Sequence, residues 1–228
     1  IVPAAERAEV AKILSDKVIA DQGRITTGFL GTPLILHALS KNGHFEAAYT
    51  MLMRRKVYSW LYQVDQNATT IWERWDAIRE DGSIHKGEMA TSSDEQPDAS
   101  MISFNHYAYG AVIDWVYRNV AGIAPVETQP GYRAITIAPR PGQGFSFAGA
   151  DIATGFGNAS IHWEITSAGI LAAKVVVPFG STARLDFPVS ANSTLRVNGA
   201  TVANGAEVTH GSYEVTLTNP VIAPFKVA

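Results

Sequence analysis

"TIWERWDAIREDGS", Thr70 to Ser83, places Glu73 between two tryptophans, Trp72 and Trp75, with Asp76 alongside. Charged side chains are ordinarily solvated and indole rings ordinarily buried or half-buried, so five residues holding both need an explanation. Two readings are open. One is a capped helix lying on an aromatic core, with Glu73 near the helix start and Thr69, Thr70 or Asp76 as local caps. The other is a pocket for a sugar ring, in which the tryptophans supply flat faces and burial beside them raises the proton affinity of a working carboxylate.

The residues around this stretch carry helical signals from position 4 to about 121. Val10, Ile13, Leu14 and Val18 recur at spacings of three and four and predict one buried stripe, stopped at Gly23. In "GTPLILHALSKNGH" Thr32 is the expected N-cap, Pro33 suits the first turn, and Gly43 closes the helix. "FEAAYTMLMRRKVYSWLY" repeats the pattern, and "SFNHYAYGAVIDWVYRNVAG" reads as the longest helix, capped by Ser103 and ended by Gly122. Apolar faces such as that of "TPLILHAL" exceed what these few helices can cover, so they are expected to be part of a larger helical assembly.

Beyond "APVETQPGY", the expected link, the texture changes. "RAITIAP", "ASIHWEIT", "LAAKVVVPF", "ARLDFPV" and "SYEVTLT" are short alternating or β-branched runs between turn residues, the pattern of an antiparallel sandwich. Asn198-Gly199 and Asn204-Gly205 are both hairpin signals. The domains are therefore expected at 1–124, helical, and 125–228, β.

Composition narrows the function classes. The 228 residues are 46% hydrophobic and 17% charged, with a net charge of −3 and no basic block, which argues against a nucleic-acid partner. No apolar run approaches the length of a membrane span. Without cysteine there is neither a disulfide nor a thiolate metal site. His37, His44, His85, His106, His162 and His210 show no His-x-x-x-His spacing, so no metal and no cofactor is expected. The glycines near "PGQGFSFAG" follow no strand–turn–helix order, and no serine nucleophile elbow is present. "IVPAAERAEV" carries no initiator Met or signal layout and leaves the compartment open.

A second chemical cluster stands in "SFNHYAYG", where Asn105, His106, Tyr107 and Tyr109 crowd the opening of the expected helix. His106 reads either as a satisfied structural group or as a substrate contact. Between the clusters, "HKGEMATSSDEQPDAS" (85–100) reads as a solvated loop that can form a cleft wall, with Glu88, Asp94, Glu95 and Asp98 as further carboxylates.

"GRITTGFLGTPLILHALS", "SWLYQVDQNATTIWERWDAIREDGS", "SFNHYAYGAVIDWVYRNVAGI" and "GYRAITIAPRPG", in order and nearly end to end, resemble the C-terminal part of bacterial α-L-rhamnosidases. The resemblance implies an inverting glycoside hydrolase with an (α/α)6 barrel followed by a β-sandwich, acting on a rhamnose-containing glycoside or polysaccharide. It implies Glu73 as the general base and His106 in the sugar subsite; Trp72, Trp75 and Asn105, adjoining those positions, are expected in the pocket. The family's general acid lies in an acidic, Arg- and Trp-containing motif on the N-terminal half of the barrel. Nothing like it is found here, so the N-terminal remainder of the same enzyme is the expected partner and the chain alone is expected to be inactive. Two alternatives are another helical-toroid glycosidase or lyase, and a non-catalytic carbohydrate-binding remnant. The latter would show exposed aromatics on one sheet face, but Phe145, Phe147, Phe156 and Trp163 alternate poorly and favour core packing.

Overall fold

A computed structural model describes residues 2–85 and 102–226. Glu88, Asp94, Glu95 and Asp98 lie outside the described residues. The chain divides into two compact units, 1–113 with 224–228, and 114–223. The expected division was at 124/125; Ala124 and Pro125, expected in the link, belong to a strand of the second unit.

The first unit is helical. Helices α1 (Arg7–Ala20), α2 (Thr32–Lys41) and α3 (Phe45–Met53) pack on one another, and α4 (Trp60–Asp65) follows α3. α2 starts as its sequence suggests, but Gly31 holds the cap position; the Thr32 hydroxyl donates back to the carbonyls of Thr27 (3.0 Å) and Gly28 (2.9 Å). α3 buries the run Ala47, Ala48, Tyr49, Thr50 and Met51. Ser59 caps α4, its hydroxyl accepting the Tyr62 N–H at 3.2 Å.

The stripe expected on α1 is only partly the one buried, with Val18 buried and Leu14 half-buried. Ala11, Ser15 and Val18 are buried, while Val10 and Ile13 stay 41% and 48% exposed. The face turned to α2 and α3 carries small side chains that permit close approach. The larger apolar ones form a second face with nothing over it among the described residues.

Ser103 does not begin a helix either. Residues 102–106 are extended or bent, and helical structure starts at Tyr107 with a 3₁₀ turn (Tyr107–Ala111), then the short α5 (Val112–Trp115) and a wider π-type turn (Val116–Ala121). Gly122 ends it at φ 89°. A Cβ there would fall 2.2 Å from the backbone nitrogen of Pro139, so this position requires glycine for both its conformation and its neighbour.

The second unit holds two sheets. β1 (Ile123–Pro125), β2 (Ala134–Ile137), β6 (Thr182–Leu185) and β9 (Glu207–Val208) form one, in the order β1-β2-β6-β9. The other has the order β3-β4-β5-β10-β7-β8, from β3 (Phe147–Thr154), β4 (Gly157–Ile165), β5 (Leu171–Val177), β10 (Gly211–Leu217), β7 (Leu195–Val197) and β8 (Ala200–Thr201). All pairings are antiparallel except β2 with β6, strands distant enough in sequence for a parallel crossover. Alternate residues, among them Ile135, Ile137, Ile161, Val175, Leu185 and Val215, fill the core. Trp163 is buried and donates its indole N–H to the Val120 carbonyl at 2.9 Å.

Three expectations for this unit need correction. β3 is not among the expected strands; it is an eight-residue edge strand paired along its whole length with β4, so tertiary pairing overrides its weak propensity. Asn198-Gly199 does make the β7–β8 hairpin, with both residues at positive φ. Asn204-Gly205 does not; it lies between β8 in one sheet and β9 in the other, and the Asn204 side chain bonds Asp186 and both backbone polar groups of Phe187. Phe147, expected in the core, is 74% exposed.

Candidate active site

Two segments of the helical unit, 70–76 and 103–106, are neither helix nor strand in isolation; they hold each other. The Glu73 N–H donates to the Ser103 carbonyl at 2.9 Å, and the His106 N–H donates to the Ile71 carbonyl at 2.8 Å. The Thr70 hydroxyl donates to the Phe104 carbonyl. These antiparallel contacts place Glu73 and His106 on neighbouring backbones, offset by roughly two extended residues, about 7 Å, along the chain direction.

Glu73 is half-buried. Its Oε2 accepts the Ser103 N–H at 2.9 Å. One carboxylate oxygen is therefore held in place by a backbone donor, while Oε1 has no protein partner among the described residues. A carboxylate pinned on one side and open on the other suits proton abstraction from a water.

Beneath it lies an aromatic layer. Trp72 is 2% exposed, receives an edge-to-face contact from Phe104 at 5.5 Å, and donates its backbone N–H to Gln63 Oε1 at 3.1 Å. Trp75, 5% exposed, stacks on Tyr109 with centroids 4.0 Å apart and meets Trp60 edge-on at 5.5 Å. Trp60 in turn donates its indole N–H to the Tyr109 carbonyl at 2.9 Å. Both tryptophans are thus deep in packing rather than presented as open faces. Burial pushes the Tyr109 phenol above its ordinary range; Arg74 opposes that shift and the Glu73 charge reinforces it.

His106 is half-buried, stacked on Phe29 with centroids 4.6 Å apart and planes 13° from parallel. Its Nδ1 is buried and unpartnered among the described residues, as are Gln63 Nε2 and Trp75 Nε1. Buried polar atoms in folded proteins almost always have partners. Here the three exceptions belong to, or hydrogen-bond with, the two paired segments. Asn105 is exposed, its N–H held by the Ser103 hydroxyl at 3.1 Å.

Sequence reasoning missed Ser103 as the clamp on Glu73 and Phe29 as the stacking partner of His106. Phe29 stands in "TTGFLGTP", a motif visible only for its glycines and Pro33. It also missed the polar cluster behind the site: Arg74 bonds Asp76 (3.3 Å) and His85 (3.2 Å), with Asp76 also 3.7 Å from His85. Among the described residues no group of three or more His, Asp or Glu is placed to hold a metal ion.

Residues 1–120 match the family described as bacterial alpha-L-rhamnosidase 6 hairpin glycosidase domain, and residues 122–201 match the bacterial alpha-L-rhamnosidase C-terminal domain. The chain is 40% identical over 188 residues to an alpha-L-rhamnosidase of Streptomyces avermitilis, covering 82% of this chain and 17% of that protein. It is 35% identical over 192 residues to one of Formosa agariphila, covering 84% and 19%. The crystal structure of the Streptomyces avermitilis enzyme complexed with L-rhamnose superposes with a TM-score of 0.78 at 36% identity, over 94% of this chain and 20% of that one. The native enzyme from Aspergillus terreus gives 0.79 at 32% identity, over 96% and 22%. The chain thus spans about a fifth of the length of these relatives.

Proposed function

The chain belongs to the bacterial alpha-L-rhamnosidase six-hairpin glycosidase family, and from that premise we propose that it is part of an enzyme removing terminal α-L-rhamnose from glycosides or polysaccharides with inversion. Glu73 is the general base. It takes a proton from the water that attacks the anomeric carbon, so the new C–O bond forms as the glycosidic bond breaks. A carboxylic acid from the portion of the relatives that this chain does not span protonates the leaving oxygen. Inversion requires these two carboxyl groups about 6.5–9.5 Å apart, with the water between the base and the sugar.

The observation carrying this reading is the clamp on Glu73: one oxygen bonded to the Ser103 amide, the other without a protein partner among the described residues. His106 contributes a subsite contact through its imidazole, the ring plane set by Phe29. Trp72 and Trp75 support the floor of the pocket from below, and Asn105 borders it. Residues 1–228 by themselves hydrolyse no rhamnoside, because the acid is supplied by the remainder of the enzyme.

The stereochemistry of the first product tests the proposal. Proton NMR of the complete enzyme turning over an aryl α-L-rhamnoside is expected to show β-L-rhamnose before mutarotation. Initial release of the α anomer would replace the general-base role with a nucleophilic one.

A further inference from the structure

A cavity of about 700 Å³ lies on the outer face of the six-stranded sheet in the second unit. It is a trough running across four neighbouring strands. One rim is the cross-strand row Phe147, Glu164, Ala172 and Thr216; the other is the row Gly149, His162, Lys174 and Glu214. The inward-pointing residues between them, such as Trp163 and Ala173, leave only backbone as the floor. Rows two residues apart are separated by about 6.8 Å, and four strands span roughly 14 Å. Those are the width of one sugar ring and the length of a short run of them.

The rims match such an occupant chemically. Phe147 stands exposed at one end, offering a flat apolar face. The His162 ring lies over Gly149, where a Cβ would fall 2.3 Å from Nδ1, and its Nε2 pairs with Asp151 at 2.8 Å. Glu164, Lys174, Glu214 and Thr216 have no side-chain hydrogen bond or ion pair among the described residues. They present acceptors and donors of mixed sign, which suits hydroxyls that both give and take protons and disfavours a polyanion. We infer that this trough is a non-catalytic binding site for a neutral saccharide chain, holding the polymer whose rhamnose ends the enzyme trims. The inference rests on the enzyme acting on sugar chains, but not on Glu73.

NMR titration of this chain with a neutral, rhamnose-terminated tetrasaccharide tests it. Amide shifts are expected at Ala148, Trp163, Ala173 and Val215, and Phe147→Ala and Lys174→Ala should each weaken binding about tenfold without lowering the melting temperature. Glu73→Gln should leave this binding unchanged. Absence of shifts in the trough, undiminished affinity in both variants, or preference for an oligogalacturonate of the same length would overturn the inference. In the complete enzyme, Phe147→Ala should raise KM for a neutral rhamnose-bearing polysaccharide about fivefold and leave KM for an aryl rhamnoside alone. An unchanged KM for the polysaccharide in this variant, as when another segment of the polypeptide fills the trough, would overturn it too. Failure of aryl rhamnoside hydrolysis with trough binding intact would count against the catalytic reading only.

Discussion

Glu73 and Ser103 bind each other twice: the Glu73 N–H donates to the Ser103 carbonyl at 2.9 Å, and the Ser103 N–H donates to Glu73 Oε2 at the same distance. Because both ends of the contact are fixed by backbone, the carboxylate needs no neighbouring side chain to set its direction. The second motif therefore does two jobs, carrying His106 and aiming Glu73.

His106 separates packing from binding. His106→Phe in the complete enzyme keeps a flat ring against Phe29 and removes both nitrogens. KM for an aryl rhamnoside should rise about tenfold while kcat stays within about threefold, the signature of lost uniform binding. Unchanged KM accompanied by a lower melting temperature would reduce His106 to a packing group.

Gly122 is where the turn at 116–121 meets the following backbone, and its carbonyl accepts the Ala138 N–H at 2.8 Å. Gly122→Ala adds a carbon against Pro139 at positive φ and should cost about 3 kcal/mol. Gly155, with nothing within 4 Å of a built Cβ, should tolerate alanine within about 0.5 kcal/mol. Urea unfolding of the two variants compares them directly; similar midpoints would contradict the close approach.

Three tyrosines should titrate late. Burial pushes the phenols of Tyr62, Tyr109 and Tyr132 above the ordinary value of 10.0. As pH rises through that value the unfolded chain loses these protons first, so it binds fewer protons than the folded one and stability falls with rising pH. Ultraviolet difference titration should resolve a late group that ionises together with alkaline unfolding. A single step for all eight tyrosines would contradict it.

Legibility in the sequence followed the range of the interactions. The helical and β portions, the Gly43 and Gly122 stops and the Asn198-Gly199 hairpin depend on neighbours a few residues away, and they could be read. Ser103 was taken for a cap because its real partner, Glu73, is thirty residues distant and leaves no periodic trace. β3 was invisible because "FAGADIAT" becomes a strand only by pairing with β4. Val10 and Ile13 carried the right spacing for a buried stripe with Val18, yet on α1 it is Ala11 and Ser15 that are buried beside Val18. At the site, residue types and motif order pointed to Glu73 and His106; their support by Ser103 and Phe29 needed coordinates.

The central claim is that Glu73 activates the attacking water. The direct measurement is kcat of the complete enzyme on an aryl α-L-rhamnoside with Glu73→Gln, an isosteric change that cannot accept the proton, alongside its melting temperature. A drop of about 10²–10⁴-fold at unchanged melting temperature is the expected result. A loss smaller than about threefold would remove Glu73 from the reaction.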